Sequence, residues 1–153
     1  MNKIAEIINK KPLLFLLVSL SYLFVLGFLK WRLAPTIEAL WFVIGGVLGI
    51  YFLDGADVFF HLSPSPFRSI VFAAAFVVVS LFVVTSSGSM LASGLVLSLY
   101  LSLILWQVGE WHVRGNLNEW YRMIAGPVPA GVQRWGVVLF IVLFFVETYL
   151  FIR

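Results

Sequence analysis

Asp54, Asp57 and His61 fall three and four residues apart in LDGADVFFH, residues 53–61, a spacing that sets three ionisable groups on one face of a helix. Gln107, Glu110 and Arg114 repeat that spacing further along the chain. Asp54, Asp57, His61 and Glu110 together offer three carboxylates and an imidazole, a hard-to-borderline donor set that would suit a divalent metal such as Mg²⁺, Mn²⁺, Zn²⁺ or Fe²⁺. The six residues would also serve as a polar site for a proton, a cation or a small polar solute. A third use is structural: Asp54 and Asp57 pairing with Arg114, Arg68 or Gln107 would lock helix ends together. The spacing leaves all three open, because D-x-x-D-x-x-x-H lacks the specificity of a paired Cys motif.

Glu147, in FFVETYLF, is a second candidate. It sits about 18 Å into the last apolar segment, at the depth of Ser80, Ser98, Tyr100 and Ser102. A neutral, hydrogen-bonded acid is expected there, and a proton way-station is the functional alternative. His112 follows Glu110 by two residues and lies about 200° around the helix from it. It is read as an interfacial histidine beside Trp111. Ser93 in SGSMLASG is placed near the opposite membrane surface from His61 and His112, too far for either to activate it as a nucleophile. The chain has no cysteine, which removes disulfides and thiolate chemistry, and it carries no phosphate loop, H-E-x-x-H or nucleophile elbow.

The elements that must position these groups belong to a bilayer. Of 153 residues, 62% are hydrophobic and only 11% charged, where soluble domains carry about a quarter. Five stretches, residues 12–29, 37–60, 67–85, 91–113 and 135–152, are long enough to cross a hydrocarbon core of about 30 Å as helices. The expected fold is therefore an all-α polytopic bundle of five transmembrane helices in one integral membrane domain. The first stretch is read as a retained span, since no small-x-small cleavage pattern follows it. Gly45 and Gly49 form a G-x-x-x-G that permits close helix contact, pointing to the second span as the central helix. Thr36 caps that span and Glu38 suits its first turn, while Ser65 and Pro66 open the third. Lys3–Lys11 and residues 117–125 read as short interfacial helices, the second with Trp120 and Tyr121 at headgroup depth.

Orientation follows from charge. Lys3, Lys10, Lys11, Arg68, Arg114, Arg122 and Arg134 fall on one side of a five-span chain, and Lys30, Arg32 and Arg153 on the other. This bias predicts an N-inside, C-outside protein of a bacterial-type cytoplasmic membrane. Counted from Ile37 and Leu91, Asp54 and Gln107 come to similar depths, about 26 and 24 Å, so the two polar rows should share a site at the cytoplasmic mouth.

The first functional expectation is a membrane-embedded subunit, or an ion- or small-solute-handling protein, organised around that mouth. One alternative is a metal-dependent enzyme acting on a lipid or lipid-linked substrate at the inner leaflet, with Arg114 or Arg68 holding a phosphate. Another is a non-catalytic assembly or scaffold subunit that docks partners through Trp120 and Tyr121. The lipid bilayer and either further copies of the chain or partner membrane subunits are the expected partners. Nucleic acid is not, because the basic residues are scattered over helix ends.

Overall fold

The computed structural model describes residues 13–32, 36–59, 69–86, 88–115, 117–121 and 129–152, with the side chains at 13, 54, 57, 58, 114, 118, 119 and 130 outside that description. The described residues are helical: α1 Leu13–Trp31, α2 Ile37–Phe59, α3 Ile70–Ser86, α4 Met90–Arg114, a 3₁₀ turn Asn118–Tyr121, and α5 Ala130–Ile152. Local chemistry sets their ends. Thr36 caps α2 by accepting from Ala39 N at 3.1 Å, as its position in the sequence predicts, and Ser89 caps α4 through Ala92 N at 3.2 Å. Left-handed Gly115 (φ 73°) terminates α4, its N–H reaching the Trp111 carbonyl at 2.7 Å. Helix α5 begins at Ala130, five residues before the apolar run at Trp135, because the Pro129 carbonyl already accepts from Val132 and Gln133.

Three helices are long and apolar enough to cross a membrane, over Leu14–Trp31, Met90–Val113 and Gly131–Ile152, while the apolar parts of α2 and α3 are shorter, Ile37–Leu53 and Ile70–Ser86. Length and composition thus support three of the five expected spans. The outer surface agrees with a lipid environment: Leu14, Phe24, Val78, Phe82 and Phe145 are 63 to 69% exposed, an apolar exterior that water would not tolerate.

The central helix is α4, not α2. Most of its length is buried, and its most extensive interface is with α2. Small residues explain the closeness of that interface. A Cβ added at Gly45 would strike the Leu91 carbonyl, one at Gly49 the Leu95 carbonyl, and one at Gly94 the Phe42 carbonyl. The G-x-x-x-G of α2 therefore does admit another backbone, and Gly94 answers it from α4. Because α4 is embraced on several sides, it is the helix enriched in small and polar buried residues, Ser93, Ser98, Ser102 and Gln107.

Helices α1 and α5 run alongside each other. Tyr22 bonds Thr148 at 2.8 Å, and Lys30 Nζ donates to the Phe151 carbonyl at 2.8 Å, satisfying an acceptor in the last turn of α5. Trp31, Phe42 and Phe151 close this end of the bundle with ring centroids 5.1 to 6.3 Å apart.

Over Leu117–Tyr121, the expected interfacial helix is a buried 3₁₀ turn; positions 122–125 lie outside the described residues, as does the basic segment at 3–11. Leu117 N donates to Gln133 Oε1 at 2.8 Å, tying the turn to α5. Trp120 and Tyr121 are only 1% and 8% exposed. They are core residues rather than an exposed docking surface, and burial raises the Tyr121 phenol above its ordinary pKa.

Candidate functional site

Glu147 is brought to one point by four helices. It is 2% exposed on α5. Ser80 of α3 is its polar neighbour, and Tyr22 of α1 and Tyr100 of α4 stand within electrostatic reach of its carboxyl. Each hydroxyl around it is already engaged. Tyr100 donates to the Phe140 carbonyl at 2.6 Å, Ser80 to the Val77 carbonyl at 3.1 Å, and Tyr22 shares a hydrogen bond with Thr148. Both carboxyl oxygens are left without a hydrogen-bond partner of good geometry.

Among the described hydroxyls around it, the Tyr22–Thr148 pair has a proton to spare. The Tyr22–Thr148 pair has two hydroxyl protons and one bond, with either oxygen able to donate. Turning the pair so that Thr148 donates releases the Tyr22 proton. A charged carboxylate at this depth, with no fixed donor, would carry a desolvation cost of several kcal/mol by order of magnitude. The arrangement therefore suits a group that takes up a proton or a small cation, not a permanent anion.

Of the serines expected beside Glu147, only Ser80 faces it. Ser98 lies against Gly49 of α2, 3.0 Å from where a Cβ there would be, and its hydroxyl has no partner. Ser102 bonds the Ser98 carbonyl of its own helix at 3.2 Å. No known protein family, curated protein or solved structure matches this chain. The site has to be read from its own chemistry.

The two polar rows are offset by about one turn rather than level. Helices α2 and α4 run parallel, with Gly45 against Leu91, Gly49 against Leu95 and Ser98, and Gly94 against Phe42 and Gly46. Extending the mean of those contacts puts position 54 about level with Leu103 and position 57 about level with Trp106. Gln107 lies close to the level of Phe59, where α2 ends, and Glu110 just beyond it. Depth counted from the first apolar residue overstates their match, because α2 begins about one turn ahead of α4 along the shared axis. Position 54 thus falls near the middle of α4, position 57 close to the level of Gln107, and Glu110 nearer the helix end.

Gln107 is 1% exposed and its amide nitrogen has no partner, whereas Glu110 is partly exposed and engaged. The Asp54, Asp57 and Arg114 side chains, and His61 entirely, lie outside the described residues. Among the described residues no three of His, Asp and Glu come together. Tyr22, Thr148 and Gln133 are polar contributors that motif and spacing do not single out. Tyr22 and Thr148 lie inside apolar spans, where a lone polar side chain signals a buried partner in the absence of water, whereas Gln133 precedes its apolar run and carries no such signal.

Proposed function

We propose that this chain is a five-pass integral membrane protein, N-terminus inside and C-terminus outside, that conducts protons or a small cation either alone or as a membrane-embedded subunit. Glu147 is the ion-binding group. The observation that carries this reading is its burial at the meeting of four helices with both carboxyl oxygens unpartnered. An acid with no hydrogen-bonding duty is expensive to keep in a membrane core and serves where its occupancy changes.

From the level of Tyr100 the path continues inward past positions 54 and 57 to Gln107, Glu110 and Arg114. Asp54 and Asp57 are its middle steps, and the second row with His61 is its cytoplasmic mouth. A depth-graded series of acids suits stepwise transfer better than two rows at one level, since each step stays within reach of the next.

Reconstitution tests this. Protein in liposomes loaded with a pH-sensitive dye is given an inward proton gradient, then a sodium gradient. Wild type should acidify the lumen or take up sodium, Glu147→Gln should lose that flux, and Asp54→Asn with Asp57→Asn should slow it. Equal flux in wild type and Glu147→Gln would show that the buried acid has no part in transport.

A further inference from the structure

Where α4 ends and α5 begins, the two antiparallel helices leave a cleft of about 250 Å³ lined by Val108, Trp111, His112, Arg134, Val137 and Val138. Each helix contributes residues at i, i+3 and i+4, which form one continuous stripe. The polar and apolar parts are sorted by depth. His112 and Arg134 come at the mouth, near the two helix ends, and Val108 and Val138 one turn deeper. Val108 and Val138 are 46% and 42% exposed, so the deep part opens sideways toward the membrane.

We propose that this cleft binds one anionic phospholipid, its phosphate between Arg134 and His112 and an acyl chain along Val108 and Val138. Charge complementarity names the occupant. Arg134 is a permanent cation whose planar fork matches a phosphate, and the His112 ring donates a second hydrogen bond. Neither has an acidic partner among the described residues. Glu110 is turned about 200° away from His112 on the same helix, so no carboxylate on α4 faces the phosphate. Trp111 lies on the wall at the level where indole rings favour the headgroup region. An acyl chain follows because the wall below the two basic groups is wholly aliphatic. A free phosphate would use only the upper half.

The proposal rests on the membrane reading but not on Glu147. Full-length protein is first placed in phosphatidylcholine nanodiscs, and its incorporation reports on the membrane reading alone. Native mass spectrometry then follows retention of phosphatidylglycerol titrated against phosphatidylcholine. One phosphatidylglycerol per chain should be retained, and glycerol phosphate should not displace it. Arg134→Gln with His112→Gln should weaken retention by about tenfold or more, as expected for lost charge-assisted hydrogen bonds. Val138→Trp, which fills the cleft and leaves both basic groups in place, should weaken it as well. Equal retention of the two lipids by wild type, or unchanged retention in both variants, would overturn the site. Displacement by glycerol phosphate would assign the cleft to a soluble phosphate instead.

Discussion

A side chain's worth in this bundle depends on what it has to partner with in the absence of water. Trp120 makes the point from the apolar side. Its sequence neighbourhood, LNEWYRMI, reads as an amphipathic surface helix because Leu117, Trp120 and Tyr121 recur near helical spacing. The 3₁₀ turn instead tucks all three inward, held by Gln133, a contact sixteen residues away in sequence that no local pattern encodes. Trp120→Ala should therefore cost about 3–5 kcal/mol of stability, the range for deleting a large buried aromatic. Thermal unfolding in detergent would register this as a large drop in midpoint. An unchanged midpoint together with a lost co-purifying protein would return Trp120 to the surface. Glu147 is easier to find, since a lone acid amid FFV and YLF is conspicuous. Its partners are not, because which of several serines at one depth faces the acid depends on helix rotation. Spacing alone does not fix rotation relative to a neighbour.

Between elements, the α2–α4 interface fixes the register on which the proposed path depends, and glycine makes that interface possible. Gly45, Gly49 and Gly94 each occupy a place where a methyl group would meet a backbone carbonyl of the other helix. Backbone cannot swing aside as a side chain can. Alanine at Gly45 or Gly94 should thus separate the helices and destabilise the fold by about 1–3 kcal/mol or more. Gly27 and Gly109 have nothing within 4 Å of the place a methyl group would take, and alanine there should be neutral or stabilising by up to about 1 kcal/mol through helix propensity. Comparing the four variants by denaturant titration in micelles would separate the two classes, and equal effects would place the glycines outside the interface. The G-x-x-x-G spacing is legible in the sequence. The identity of the central helix does not follow from it, because one such motif says that a helix is approached closely, not on how many sides. In lipid the buried helix is instead marked by small and polar residues, which α4 holds in Ser93, Gly94, Ser98 and Ser102.

For the whole molecule, the contrast that matters lies between five crossings and three. Helix α3 has 17 residues, about 26 Å of helix against a hydrocarbon core of about 30 Å; a shortfall of that size is met by local thinning of the bilayer. Helix α2, with 23 residues, is long enough at about 34 Å. It also lies parallel to α4 through the Gly45 and Gly49 contacts, so it crosses the same depth as a helix that spans by length and composition. On the proposed five-pass reading, α2 and α3 form a hairpin across the membrane. The C-terminus cannot test this, because a re-entrant α2–α3 pair would leave it on the same side as five spans would. The segment between α2 and α3 can, since five crossings open it to the cytoplasm and a re-entrant pair keeps its turn within the bilayer. The absence of cysteine makes the measurement clean. Ser63→Cys should resist a membrane-impermeant thiol reagent added to intact cells and react after permeabilisation, while Ser86→Cys, at the outer end of α3 in either topology, should react at once. Failure of Ser63→Cys to react after permeabilisation, or its labelling in intact cells, would reduce the protein to three spans. The proposed inward path past positions 54 and 57 would then end in a re-entrant loop that never reaches the cytoplasm.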